Sequence, residues 1–273
     1  MAEAQDATLN LTGATLSYNV RSGDHPTVVG LHGLGQSRVN EDTAGYLDWP
    51  PIYNAGRRTV RYDARGHGRS TGQALPEDYT WSRLADDLLA LLDHLAPGEP
   101  VVAVGVSMGA GTLLHAVTRR PERFRRLALV IPPTAWATRA AQADGYRQME
   151  KLFDAQGRDS LLAAAASAPT PPLLEALGRT SPPPDVDERL FSAVLRGAAG
   201  ADFPDQEAIA AIEQPVMLLP WTDDPGHPMS TSEQLHDLLP NSTLKLTQTV
   251  EDLRAIGTTV AAFLSARTGP GEC

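Results

Sequence analysis

The chain has 273 residues, 42% hydrophobic, 5% aromatic and 21% charged, with a formal net charge of −10. That is a globular composition, long enough to bury a core without disulfides or metals. The acidity excludes nucleic acid as a default partner and reads as surface solubility rather than as a mark of substrate charge. The single cysteine, Cys273, is the last residue, so no disulfide framework and no cysteine metal site is expected, which suits a reducing cytoplasm. Residues 1–10 carry two acids and no apolar run, so no signal peptide is expected. No apolar stretch reaches the roughly 18 residues of a membrane span.

In chain order, residues 8–20 read as an antiparallel hairpin or an edge pair of strands. Short apolar runs at 27–31, 59–62, 101–104, 127–131 and 216–219 then read as buried strands, each bounded by Gly, Pro or charged residues. Runs this continuously apolar suit a parallel sheet covered on both faces. Helical patterns lie between them. Thr80 can cap a helix whose stripe is Trp81, Leu84, Ala85, Leu88, Leu91, Leu92 and Leu95, stopped by Pro97-Gly98. Further helices are expected from Ser107 to Arg119, over 230–239 and over 252–266.

The alternation breaks once. From about 133 to 201 there is no strand pattern, and Ala- and Leu-rich helical segments are separated by proline-rich breaks at 169–172 and 182–184. An insertion after a central strand reads as a helical cap over the carboxyl ends of the strands, where open α/β sheets bind ligands. An inert helical embellishment is the other reading. The division is therefore a core of 1–132 and 206–273 with a cap of 133–205. The cap's Trp136, Tyr146, Met149 and Phe153 serve equally as pocket lining or as cap core.

Val101-Val102-Ala103-Val104 runs directly into Gly105-Val106-Ser107-Met108-Gly109 and then into a helix. G-x-S-x-G is common by chance, but in a strand–turn–helix context it marks a nucleophile elbow. Small residues two before and two after Ser107 let strand and helix approach, and the hydroxyl stands at a helix N-terminus that favours developing negative charge. A second loop, Leu31-His32-Gly33-Leu34-Gly35, follows the 27–31 strand. A backbone N–H from it, Leu34 first, would join that of Met108 to bind an oxyanion, with His32 shaping the loop. In a third, Tyr62-Asp63-Ala64-Arg65-Gly66-His67-Gly68-Arg69-Ser70, the charged residues are expected to brace the loop.

These three motifs, in this order and spacing, resemble the α/β-hydrolase superfamily, and within it bacterial esterases, enol-lactonases and cofactor-free haloperoxidase-like enzymes. The resemblance spans about 27–266, with its specific motifs between Leu31 and Gly109. It implies the α/β-hydrolase fold, a mostly parallel central sheet with helices on both faces and a helical cap insertion. It also implies a Ser–His–Asp triad acting on an ester, thioester or lactone.

The family acid follows the 216–219 strand. Here that loop is Trp221-Thr222-Asp223-Asp224-Pro225-Gly226-His227-Pro228, in which Asp224 is similar to the family acid and Asp223 competes with it. The family histidine follows the last strand, but residues 247–254 contain none, and no histidine occurs after His236. His25, His67, His94, His115 and His236 are set aside by position, with His94 expected to meet the last carbonyls of its helix. His227, aimed by the freedom of Gly226, can replace the missing base. His32 is a second candidate, and a chain with no base is the third. The expectation is a serine hydrolase of a small acyl substrate, using Ser107, His227 and Asp224 with Leu34 and Met108 as oxyanion donors. The competing readings are a ligand binder and a non-hydrolytic lyase or cyclase. No cofactor or metal is implied, since H-E-x-x-H, paired cysteines and a helix-opening G-x-G-x-x-G are lacking. No nucleic-acid or membrane partner is implied either, and oligomeric state stays open.

Overall fold

Eight strands form one sheet in the order β1-β2-β4-β3-β5-β6-β7-β8 in a computed structural model that describes residues 4–167, 170–178 and 182–266. Cys273 and residue 169 of the first proline break lie outside those residues. The strands are β1 (Gln5–Leu11), β2 (Ala14–Arg21), β3 (Asp24–Leu31), β4 (Arg57–Tyr62), β5 (Val101–Val106), β6 (Phe124–Val130), β7 (Val216–Leu219) and β8 (Ser242–Leu244). β1 pairs antiparallel with β2, and β2 with β4, while the remaining pairs are parallel. The hairpin reading of the start therefore holds, and the α/β class with a mostly parallel sheet is as expected.

The helices are α1 (Arg38–Ala44), α2 (Pro50–Asn54), α3 (Trp81–Leu95), α4 (Met108–Arg119), α5 (Arg139–Ser167), α6 (Pro172–Ala176), α7 (Phe191–Gly200), α8 (Gln206–Ala210), α9 (Met229–Leu238), α10 (Val250–Arg254) and α11 (Ile256–Ser265). Alternate side chains of the central strands feed two cores. Val101 and Ala103 of β5 pack with Leu88 of α3, Leu113 of α4 and Leu235 of α9. Val102, Val104 and Val106 pack with Ile52 of α2, Leu253 of α10 and Val260 of α11. Burial on both faces is why these strands are continuously apolar.

The stripe from Trp81 to Leu95 is α3, opened by Thr80, whose hydroxyl accepts from Arg83 N–H. Four elements escape sequence reading. β8 is a three-residue edge strand with no fully buried side chain, and α1, α2 and α8 are too short to show a periodicity. The helix expected over 252–266 is two helices, α10 and α11, meeting at Ala255. Between β6 and β7 the described residues hold no strand. α5, broken at Gly157 (φ 77°), and α7 form a separate apolar cluster, with Leu161 against Phe191, Val194 and Leu195.

Candidate active site

Strand β5 delivers Ser107 at its carboxyl end, directly before α4, with φ 50° and ψ −109°. That left-handed backbone lifts the hydroxyl out of the sheet and is strained for a non-glycine residue. The flanking glycines are required by contact. A Cβ on Gly105 would lie 2.5 Å from the Gly109 carbonyl, and one on Gly109 would lie 2.6 Å from the Leu31 carbonyl oxygen. The turn after β3 lies alongside. It is closed by Gln36 N–H donating to Gly33 O (3.1 Å), with Gly35 at φ 73°. Leu34 sits in this turn. Met108 begins α4, where a first-turn N–H has no partner in the helical ladder.

A chain of hydrogen bonds runs through the site. Ser107 Oγ is 2.8 Å from His227 Nε2, and His227 Nδ1 is 2.8 Å from Asp224 Oδ2. An ionised carboxylate only accepts, so Nδ1 carries the proton and Nε2 presents its lone pair to the serine hydroxyl. Asp224 Oδ2 also accepts from Trp221 Nε1–H (2.8 Å), and Oδ1 from Gly226 N–H (3.0 Å). Burial pushes this carboxyl up, but the hydrogen bond and charge of His227, with the hydrogen bonds from Trp221 and Gly226, outweigh it and hold Asp224 below the usual carboxylate range. The loop is a tight turn, closed by His227 N–H donating to Asp224 O (3.0 Å). Proline at its second position sets φ for such a turn.

Asp223, the competing acid, is exposed at φ 59° and lies outside this chain of bonds. Gly226 does not use the freedom expected of it. Its φ is not positive, and a Cβ there would meet only ordinary contacts, 3.4 Å from Asp224 Oδ1 and 3.9 Å from Gln142 Oε1.

The other histidines are elsewhere. His32 is buried, with Nδ1 2.8 Å from Gly33 O and Nε2 accepting from Ala64 N–H (2.9 Å), so its lone pair is spent on the backbone. Burial lowers its pKa. His67 is also buried, with Nδ1 2.8 Å from Arg65 O. His94 does not meet the last carbonyls of its helix as expected; its Nε2 is 3.4 Å from the Tyr18 hydroxyl of β2. His115 meets Asp202 O at 2.8 Å. The loop over 62–70 is braced as its charges suggest: Asp63 accepts from the backbone N–H groups of Arg38 (2.9 Å) and Arg69 (3.1 Å).

The stretch 247–254, where a histidine is missing, has become structural. Thr247 is buried and donates its N–H to Pro220 O (2.9 Å), pairing with Trp221 as a parallel extension of β7. Thr249 caps α10 in a reciprocal box with Asp252, whose Oδ2 accepts from Thr249 N–H at 3.0 Å.

A cavity of about 290 Å³ opens at Ser107 and His227. The turn after β3 forms one wall, and Tyr146 and Met149 of α5 with Val194 and Leu195 of α7 form the other. No described lining residue is an aspartate, glutamate, lysine or arginine. Of the four aromatic and Met residues named from the sequence, Tyr146 and Met149 line it. Trp136 instead donates its indole N–H to Pro204 O (3.0 Å), and Phe153 packs on Phe191. Trp221, the indole that braces Asp224, was not singled out in the sequence. Its position three residues before the acid was the available signal.

A family model described as alpha/beta hydrolase fold matches residues 26–253. The chain is 37% identical over 117 residues to the sn-1-specific diacylglycerol lipase ABHD11 of Mus musculus, covering 42% of this chain but 36% of that protein. It is thus matched to about a third of that relative's length. It is 27% identical over 196 residues to 3-oxoadipate enol-lactonase 2 of Acinetobacter baylyi, covering 68% of this chain and 69% of that one. A solved hydrolase from Pseudomonas aeruginosa superposes with a TM-score of 0.77 at 23% identity, covering 96% of this chain and 98% of that chain, a likeness of fold. With its motifs, sheet order and family match in agreement, this chain belongs to the alpha/beta hydrolase fold family.

Proposed function

We propose that the protein is a serine hydrolase of small, uncharged esters, thioesters or lactones, working through an acyl-enzyme on Ser107. The observation that carries this reading is the unbroken run of two 2.8 Å contacts from Ser107 Oγ through His227 to Asp224. A serine hydroxyl is a weak nucleophile until a base takes its proton, and His227 Nε2 is at the distance to do so. Asp224 holds the tautomer and stabilises the imidazolium as it forms. The N–H groups of Leu34 and Met108 serve as oxyanion donors to the tetrahedral intermediate. His227 then returns the proton to the leaving group, and a water activated by the same nitrogen hydrolyses the acyl-enzyme.

In this reading, residues 133–205 act as a cap over a core of 1–132 and 206–273, and α5 and α7 supply the acyl wall. A wall without charged side chains favours a neutral acyl group, because a charge moved there loses its hydration without gaining a partner. Among the described residues, no helix is long and apolar enough to cross a membrane.

The test is intact mass after incubation with a fluorophosphonate, comparing the parent with Ser107→Ala and His227→Ala. Stoichiometric labelling of the parent, lost in both variants, is expected. Labelling that survives His227→Ala removes that residue as base, and an unlabelled parent turns the reading toward a ligand binder or a non-hydrolytic enzyme.

A further inference from the structure

Asp224 and His227 share one turn, which sets their separation but not the direction in which the pair faces Ser107. That turn stands at the surface, with Asp223 and Pro225 exposed. The last torsion of an aspartate is soft, so its carboxylate points where its donors hold it. Gly226 N–H, on Oδ1 at 3.0 Å, belongs to the turn itself. On Oδ2 two donors meet, His227 Nδ1–H and Trp221 Nε1–H, each at 2.8 Å. Of these the indole is the one rooted in the fold. Trp221 is buried, packs in one core with Val130 of β6 and Leu253 of α10, and extends β7 by pairing with Thr247. Tyr46 of the cavity wall stands edge-on to it, with ring centroids 6.0 Å apart and planes at 69°.

We propose that Trp221 is a positioning residue: its indole N–H anchors Asp224 Oδ2 to the sheet and shares that oxygen with the imidazole, which aims His227 at Ser107 and limits how strongly the carboxylate holds the imidazolium proton. This rests on reading Ser107, His227 and Asp224 as the catalytic groups. Each donor on a carboxylate stabilises its anionic form, so a second donor on Oδ2 leaves less of the charge for the first. The base then stays neutral, and able to take the serine proton, to a lower pH. Other charges do not blur this effect. The described cavity wall brings His227 no aspartate, glutamate, lysine or arginine, and its tyrosines are Tyr46 and Tyr146. Gln142 and Thr134 stand beside Gly226, and α9 opens with Met229 and Ser230.

Two replacements remove the N–H. Trp221→Phe keeps a ring, and 3-benzothienylalanine at position 221 keeps the shape with sulfur in place of the N–H. Urea unfolding midpoints report the stability of each. The rate of fluorophosphonate labelling of Ser107 is measured against pH. The His227 ring protons are titrated by NMR in Ser107→Ala protein, assigned by their loss in His227→Gln. In both replacements the labelling rate on the alkaline plateau is expected to fall about tenfold. The acid limb of that rate and the His227 titration are expected to move up together by about 0.5–1 pH unit. A packing role alone lowers the unfolding midpoint of Trp221→Phe and leaves the limb and the titration in place. An unmoved titration in the benzothienylalanine protein, or a plateau rate within about twofold of the parent, overturns the proposal. A parent that takes no label refutes Ser107 and His227 as nucleophile and base, while the titration still judges whether Trp221 governs the hold of Asp224 on the imidazole.

Discussion

His227 Nδ1 lies 2.8 Å from Asp224 Oδ2, with only Pro225 and Gly226 between the two residues in the chain. One turn, closed by His227 N–H on Asp224 O at 3.0 Å, therefore sets the distance between the acid and its histidine. Two loops need not be brought together to make the pair, and the loop after β8 is free to serve the fold alone. The imidazole still reaches Ser107 because β6 lies between β5 and β7, so their loops emerge above the same edge of the sheet.

The two neighbouring acids should differ sharply under substitution. Asp224→Asn replaces the acceptor at Nδ1 with an amide that can hold the wrong tautomer, and kcat should fall by about 10⁴ with the fold intact. Asp223→Asn should keep kcat within about threefold, because its side chain is exposed and outside the hydrogen-bonded chain. Ester hydrolysis with circular dichroism on both variants decides this. Equal losses would return Asp223 to the site.

The loop after β8 should be separable from chemistry. Thr249→Val removes the hydroxyl that caps α10 and should cost about 1 kcal/mol in urea unfolding. Fluorophosphonate labelling of Ser107 should proceed at an unchanged rate. A large drop in that rate would mean that this stretch still acts on the site.

At the elbow, space rather than chemistry limits substitution. Gly105→Ala places a methyl 2.5 Å from the Gly109 backbone, and Gly109→Ala one 2.6 Å from Leu31 O, where neither neighbour is a flexible side-chain end. Each should destabilise the protein by about 1–3 kcal/mol and lower labelling with it. Denaturant midpoints equal to the parent would contradict the close approach.

Stability should fall on mild acidification. Burial, then the neighbouring His32, pushes the His67 imidazole down to about 3, and burial lowers that of His32. In the unfolded chain each binds a proton near about pH 6.5, so the unfolded state holds more protons below that value. The contribution is complete above about 6.5 and is lost as pH drops toward the folded values, at up to about 1.4 kcal/mol per pH unit for each histidine. Unfolding free energies at about pH 7 and about pH 5 should show the loss, and His67→Gln should reduce its slope. A flat profile would mean that these rings are protonated in the folded state.

Much of the fold was legible because its signals are local. The doubly buried strands announce themselves as unbroken apolar runs, α3 by its stripe and Thr80 cap, and the elbow by glycines placed where a side chain would collide. β8, α1, α2 and α8 were not legible, since a three-residue edge strand and helices of one or two turns carry too little periodicity to register. The fates of Trp136 and Tyr146 were equally hidden, because helical spacing names a face without naming what that face meets.

The sequence by itself determined the class of fold, the position of Ser107 and the absence of a histidine beyond His236, because strand patterning, the elbow and composition are properties of contiguous residues. Tertiary structure alone decided that His227 stands 2.8 Å from a serine 120 residues away, and that His32 has no lone pair to offer. It also decided that Asp224 and not Asp223 meets the imidazole. Those outcomes depend on which strands lie side by side and how one turn directs its side chains, and neither is encoded in any local stretch of chain.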